Sequence, residues 1–311
     1  MRMGIVVFGA IFVDIKGYPL QKYIPAGRNE GRIETVHGGV SRNVAEDIAN
    51  VELRPTFVSL IDHSGVSQDV IRKLQNHKVN TDYIRETEDG LGTWLAVFDN
   101  DGDVVASISK RPDLNPIGDI VDEYGDYIVS NCDSVVVEFD MDIEVVKKIF
   151  KLAKKYNKRI YAIVSNMSIA VKRRDLIQQT DCFVCNQQEA GILFFEDYEG
   201  KSPDEMVKIL SNKVKGANIP NMVVTMGGAG AVYANKDECG ICPARKVDVK
   251  DTTGAGDSFF AGVTIGLTYG KPLHEACEIG TTLASSVIVT TENTCPRFLP
   301  GEFGIDPMIN E

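Results

Sequence analysis

The sequence predicts an α/β protein in which a mostly parallel sheet is covered by helices on both faces and carries a small antiparallel β piece. Two observations support this. From about residue 130 onward, short apolar runs alternate with stretches of helical periodicity, the pattern of parallel strands joined by crossover helices. Two segments break that rhythm: 92–98, a turn at 99–102 and 103–109 read as strand, turn, strand, while 16–37 is rich in Gly and Pro and has no helical period.

Each element has its own signal. The run GIVVF at 4–8 reads as a buried first strand, because it is too short to cross a membrane and lacks the basic start and cleavage site of a signal peptide. Ser134 to Phe139 is a second buried strand. Ile143, Val146, Ile149, Phe150, Ala153 and Tyr156 then form the apolar stripe of an amphipathic helix with lysines opposite. Strands follow at 159–164, 182–185, 220–226 and 231–234, and helices close the chain at about 255–269 and 272–290. With no repeat, low-complexity tract or linker, residues 1–311 read as one domain.

Composition narrows the function. A net charge of −11 over 311 residues argues against nucleic acid or an anionic membrane as partner. Seven cysteines, an odd number, suit a reducing compartment, and the cytoplasm is expected. Cys182/Cys185 and Cys239/Cys242 have metal-like spacing, but residues three apart on a strand point to opposite faces, so they read as ordinary cysteines rather than a zinc site.

The segment DTTGAGDSFFAG at 251–262 carries the chemistry. Gly254, Ala255 and Gly256 precede a helical run, where small residues let amide N–H groups approach an anion at the positive end of the helix. Asp257 lies one step inside that end. A carboxylate beside a phosphate cradle makes sense as proton acceptor for a hydroxyl attacking the phosphoryl group, which points to a kinase. The bland alternative is a loop and a capped helix, with Gly262 and Gly266 permitting close packing.

Other segments are consistent with phosphoryl transfer. Asp14 can accept hydrogen bonds from two sugar hydroxyls at the end of the first strand. In GGVSRNVA at 38–45, Gly38 and Gly39 free the backbone to approach a sugar, and Asn43 both donates and accepts. Asn186 and Glu189 form Asn-x-x-Glu after a strand, a metal-placing or a helix-capping pattern. Thr225, Gly227, Gly228 and Gly230 form a strand-loop without the Lys of a Walker A motif and without a dinucleotide GxGxxG context.

These motifs resemble those of the PfkB/ribokinase family of carbohydrate kinases. The resemblance implies a ribokinase-like fold with a small β lid from about 16–37 and 91–110, covering the substrate and often mediating homodimerisation. It implies ATP and Mg²⁺ as cofactors, and a sugar or nucleoside as acceptor. Gly254, Ala255 and Gly256 become the anion hole and Asp257 the catalytic base. Asp14, Gly38, Gly39 and Asn43 bind the acceptor, and Asn186 and Glu189 help to place Mg²⁺, partly through water. Thr225, Gly227, Gly228 and Gly230 contact ATP, Asn293 approaches the adenine or a monovalent cation, and Asp251 and Thr253 hold such a cation, for example K⁺. Within the family the N-terminal third resembles the pseudouridine kinases, which implies transfer to a 5′-hydroxyl. Departures at Ser109–Asp113 and Ala162–Asn166 keep other readings open: a ribose, fructose or sugar-phosphate kinase, the last favoured by Lys110 and Arg111 near the lid, or a degenerate sensor.

Overall fold

The unbroken apolar runs IVVF and SVVVE become fully buried neighbouring strands at the centre of a large sheet. The computed structural model describes residues 3–306. Its strands are β1 (Ile5–Phe8), β2 (Phe12–Pro19), β3 (Gly31–Gly38), β4 (Thr56–Ile61), β5 (Ile84–Glu86), β6 (Gly92–Phe98), β7 (Val104–Lys110), β8 (Ser134–Glu138), β9 (Arg159–Ile163), β10 (Cys182–Asn186), β11 (Asn221–Thr225), β12 (Ala231–Asn235) and β13 (Cys239–Cys242). The α-helices are α1 (Val40–Asn50), α2 (Gly65–Asn76), α3 (Ile117–Ser130), α4 (Ile143–Lys155), α5 (Met167–Ala170), α6 (Arg174–Ile177), α7 (Gln187–Phe194), α8 (Pro203–Ala217), α9 (Ala255–Thr268) and α10 (Leu273–Val287).

Nine strands form one sheet in the order β13-β12-β11-β10-β9-β8-β1-β4-β5. The strands from β11 to β5 run parallel, while β12 and β13 add an antiparallel edge. Alternation along each strand feeds two cores. Val6, Phe8, Val135 and Val137 face one core, with α3, α4 and α8; Ile5, Val7 and Val136 face the other, with α1, α9 and α10. On α4, Val146, Ile149 and Phe150 are buried, and side chains of this size contribute about 1.5–3 kcal/mol each. Cys182 and Cys185 enter opposite cores, while Cys239 and Cys242 sit on the edge strand. The two cysteine pairs therefore do not converge.

The second sheet, β3-β2-β6-β7, is the lid. Its outer pairs are antiparallel, and the central β2–β6 pair runs parallel. One boundary differs from expectation. The first strand stops at Phe8, so Asp14 lies within lid strand β2, which begins at Phe12 rather than near residue 16. The cause is a long-range bond: the Ala10 amide leaves the ladder to donate to Glu138 Oε2 at 2.8 Å, which turns the chain into the lid. Residues 1–2 and 307–311 of the expected domain lie outside the described residues.

Candidate active site

The N-terminus of α9 is held rigidly. Gly254 has φ +79°, and a Cβ there would collide with the Asn293 backbone, so glycine alone fits. Gly256 faces open space, which leaves its amide reachable. Behind them α9 is buried almost all round and packs on α10, where Gly262 meets Gly280 and Gly266 meets Ala276 with no room for a Cβ. Close helix packing and an accessible N-terminus thus coexist in one segment.

Two cavities flank that N-terminus. One, of about 330 Å³, is lined by Asp14, Asn43, Trp94, Gly254 and Asp257, at the lower end of the roughly 300–1,000 Å³ usual for small-molecule sites. The other, of about 480 Å³, is mostly apolar and is lined by Gly228, Gly230, Val249, Gly256, Ala284 and Ile288. A longer open groove of about 1100 Å³ runs past Asn186, Thr225 and Gly227, the last two shared with the apolar cavity. A triphosphate lying from the apolar cavity toward Gly256 would present its end to Asp257 in the first cavity.

The lid supplies the roof of the first cavity through strand register. Asp14 pairs with Trp94, and Trp94 with Ser109, so the three stand side by side across β2, β6 and β7 and all line the cavity. Two residues away, Phe12 at the start of β2 and Arg111 just past the end of β7 also line the cavity. Gly38 opens this corner, because a Cβ there would lie 2.7 Å from Asp14 Oδ2. Burial raises the Asp14 carboxyl above its ordinary range, against the charges of Lys16 and Arg42.

The floor is a buried polar network. Asn43 Nδ2 donates to Asp257 Oδ2 at 2.6 Å. Arg42, fully buried, donates to Asn43 Oδ1, to His37 O at 2.8 Å, to Asn293 Oδ1 at 3.2 Å and to Glu46. Glu46 also meets Lys73 at 3.1 Å, so the buried guanidinium has a paired carboxylate, as a buried charge requires. Burial pushes the Asp257 carboxyl up to about 6, and the Glu138 charge adds to this, while the Asn43 hydrogen bond and the Arg42 charge pull it down. Beside it, burial pushes Asp47 up to about 7 although Ser258 Oγ and the Cys295 amide donate to it at 2.8 and 2.6 Å. Asp47 thereby ties α1 to α9 and to the loop carrying Asn293.

A pfkB family carbohydrate kinase model matches residues 3–298. The chain belongs to that family. A guanosine-inosine kinase from Exiguobacterium acetylicum is 33% identical over 292 residues, covering 93% of this chain and 95% of the relative. An Escherichia coli pseudouridine kinase is 24% identical over 275 residues, covering 88% and 86%. Among solved structures, Arabidopsis thaliana ribokinase complexed with ribose and ATP superposes with a TM-score of 0.82 at 19% identity, covering 96% of this chain and 97% of that one. Cryptococcus neoformans ribokinase in complex with ADP gives 0.77 at 18% identity, covering 94% and 97%. The protein is thus a PfkB sugar or nucleoside kinase that transfers phosphate to a hydroxyl, with a ribokinase-like fold.

Within this PfkB kinase most of the expected residues gather at the two cavities. Asp14, Gly38, Gly39, Asn43, Gly254 and Asp257 share the first cavity, and Thr225, Gly227, Gly228, Gly230, Ala255 and Gly256 share the apolar one. Asn186 and Glu189 form a capping box on α7: the Glu189 amide donates to Asn186 Oδ1 at 2.8 Å and the Asn186 amide to Glu189 Oε2 at 2.7 Å. Asp251 Oδ1 accepts from the Thr253 amide at 2.8 Å and hydroxyl at 2.7 Å, an Asx turn before the glycines. Asn293, expected near the adenine or a monovalent cation, stands beside Thr253 and Gly254. Its side chain is used on Arg42 and on His37 O, at 2.7 Å, and it lines the first cavity.

Of the cations linked to an anionic substrate, Lys110 turns away to Asp89 at 2.5 Å. Arg111 lines the cavity but pairs with Asp140 at 2.8 Å, so little positive charge is left to attract a phosphate. Residues that sequence reasoning missed are Arg42, Glu138, Asp140, Ser165 and Trp94. Glu138 alone leaves a signal: a carboxylate directly after three valines at the C-terminal end of a buried strand, where ligands of parallel sheets bind.

Proposed function

We propose that the protein is an ATP- and Mg²⁺-dependent nucleoside kinase acting on the 5′-hydroxyl of a 6-oxopurine nucleoside such as guanosine or inosine. The observation that carries this is the placement of Asp257 and the α9 N-terminus between two cavities of different character. The apolar one suits the adenine of ATP, with Gly227, Gly228 and Gly230 beside its phosphates. The lid-covered one suits the acceptor, because Trp94 and Phe12 give a base apolar surface and Asp14 and Asn43 meet ribose hydroxyls. The relative at 33% identity is a guanosine-inosine kinase, which supports a purine acceptor.

In the reaction, Asp257 takes the proton of the attacking 5′-hydroxyl while the oxygen bonds to the γ-phosphorus and ADP leaves with the bridging oxygen. The amides at Gly254, Ala255 and Gly256 stabilise charge on the transferring group. Arg42 touches neither substrate; it positions Asn43 and so the carboxylate that Asn43 holds. Glu189 is anchored by one oxygen to its own helix, which leaves the other for the water of a hydrated cation. A Mg²⁺ ion held there with Asn186 would neutralise phosphate charge. Asp251 and Thr253, beside the anion hole, are the proposed holders of a monovalent cation such as K⁺. The lid keeps water from the phosphoryl group. Its outer surface exposes Ile33 at 75% and Ile108 at 69%, which supports a homodimer through the lid; sedimentation as a monomer would remove that assignment.

A second reading, pseudouridine as acceptor, is favoured by the 24% relative and by the lid sequence that suggested it. The test is ADP release with Mg-ATP across guanosine, inosine, pseudouridine, uridine, adenosine, ribose, fructose and fructose 6-phosphate. Turnover led by guanosine and inosine is expected. Turnover confined to pseudouridine would replace the purine reading, and turnover of free sugars alone would end the nucleoside one.

A further inference from the structure

Beyond the acceptor cavity lies a second chamber of about 260 Å³ that shares Phe12, Arg111 and Glu138 with it. Asp140 and Asn115 also line this chamber. The Asp140 side chain is only 3% exposed. Its Oδ2 accepts from Arg111 at 2.8 Å and from Ser165 Oγ at 2.7 Å. Its Oδ1 is buried and, among the described residues, has no hydrogen-bond partner. A buried carboxylate oxygen without a donor costs free energy that folding alone does not return. Glu138, the other carboxylate shared by the two chambers, differs, since its Oε2 is already held by Ser41 Oγ at 2.6 Å and by the Ala10 amide.

We propose that Asp140 and Arg111 read the base of the acceptor nucleoside, with the Asp140 carboxylate accepting a ring N–H and Arg111 donating to the carbonyl beside it. This rests on the nucleoside-kinase reading above. With its sugar under Asp14 and Asn43, a nucleoside can direct its base past Phe12, which lines both cavities, toward the chamber. An ionised carboxylate only accepts and a guanidinium only donates, so together they display an acceptor beside a donor. The complement is a ring N–H next to a C=O, the edge of a 6-oxopurine. Guanine adds an amino group parallel to N1–H and so matches both carboxylate oxygens, while hypoxanthine keeps the ring N–H. Adenine brings the bare N1 lone pair to the same place, which a carboxylate repels. Specificity then comes from the unpaired oxygen, which only a base with the N–H can satisfy.

The test compares inosine with 1-methylinosine on the wild-type enzyme, then repeats the pair on Asp140→Asn. The wild-type enzyme is expected to lose ~10- to 100-fold in kcat/KM on methylation, carried mainly by KM, the size of one hydrogen bond to a charged group. In Asp140→Asn the penalty for methylation shrinks severalfold, and the preference for guanosine over adenosine narrows. Equal turnover of inosine and 1-methylinosine by the wild-type enzyme would overturn the assignment while leaving the nucleoside kinase intact, and this arm needs no variant to fold. An unchanged methylation penalty in Asp140→Asn would overturn it as well. Turnover of ribose with no turnover of any nucleoside would instead overturn the functional reading, and the base subsite with it.

Discussion

The two cavities beside the α9 N-terminus are built in opposite ways. The apolar cavity draws on two stretches of small residues, Gly227, Gly228 and Gly230 with Ala255 and Gly256, and on α10 and the 244–249 segment. The acceptor cavity is assembled from the lid, α1, the end of β8, the turn after β9 and the loop at 293, all converging on one carboxylate. The first needs only close backbone approach and greasy walls, which suits a cosubstrate common to many kinases. The second needs particular polar groups at particular heights, which suits discrimination among acceptors. On the proposed reading, cosubstrate binding and acceptor selection therefore separate across a single helix end.

That division can be broken at its hinge first. Asp257→Asn is expected to lower kcat by about 10²–10⁴-fold, the scale of a lost general base, while calorimetry still detects Mg-ATP binding. Retained turnover would remove the base assignment. Gly254→Ala forces a side chain into a left-handed backbone and against Asn293. A stability loss of at least ~3 kcal/mol is expected from strain and clash together, read as a lower melting temperature along with reduced activity toward every acceptor.

Two substitutions sharpen the contrast between the walls. Trp94→Ala is expected to raise KM for the nucleoside about tenfold with KM for ATP unchanged, since a lost aromatic stacking surface is worth about 0.5–1.5 kcal/mol beyond its area. Ala284→Phe, which fills the apolar cavity, is expected to do the reverse by a similar factor, because overpacking costs about 1–3 kcal/mol. Movement of both constants together in either variant would dissolve the separation.

The smallest effect is graded by pH. Asp257 must be deprotonated to act, and burial holds its carboxyl at about 6. Its acid form accumulates below that value, so kcat/KM is expected to rise about tenfold per pH unit up to about 6 and then level off. In Asp257→Glu the inflection should move while the shape persists. A flat profile between pH 5 and 7 would show that this carboxyl does not carry the proton.

How much of this could be read from the chain follows the same division. The start of α9 is legible because 254–257 is a contiguous run of small residues and one acid before an apolar helix, and the alternation of 134–164 spells the parallel sheet. The boundary at Asp14 was misplaced because strand β1 ends through a long-range bond from Ala10 to Glu138, which no local pattern announces. Nothing local in the sequence announces the partners of Asn293, Arg42 and His37, because they lie over 250 positions away. Arg111 reads locally as a free cation, and only the fold supplies Asp140. Selectivity residues stay hidden in a single sequence because each is an ordinary polar residue until tertiary contacts bury it.

The central claim is that donor and acceptor meet at Asp257 from separate cavities. A crystal structure with inosine and a non-hydrolysable ATP analogue tests it most directly. The account predicts the inosine 5′-oxygen within hydrogen-bond reach of Asp257 under Trp94, with the analogue's adenine between Val249 and Ala284. A nucleoside bound with its 5′-oxygen away from Asp257, or an adenine under the lid, would contradict it.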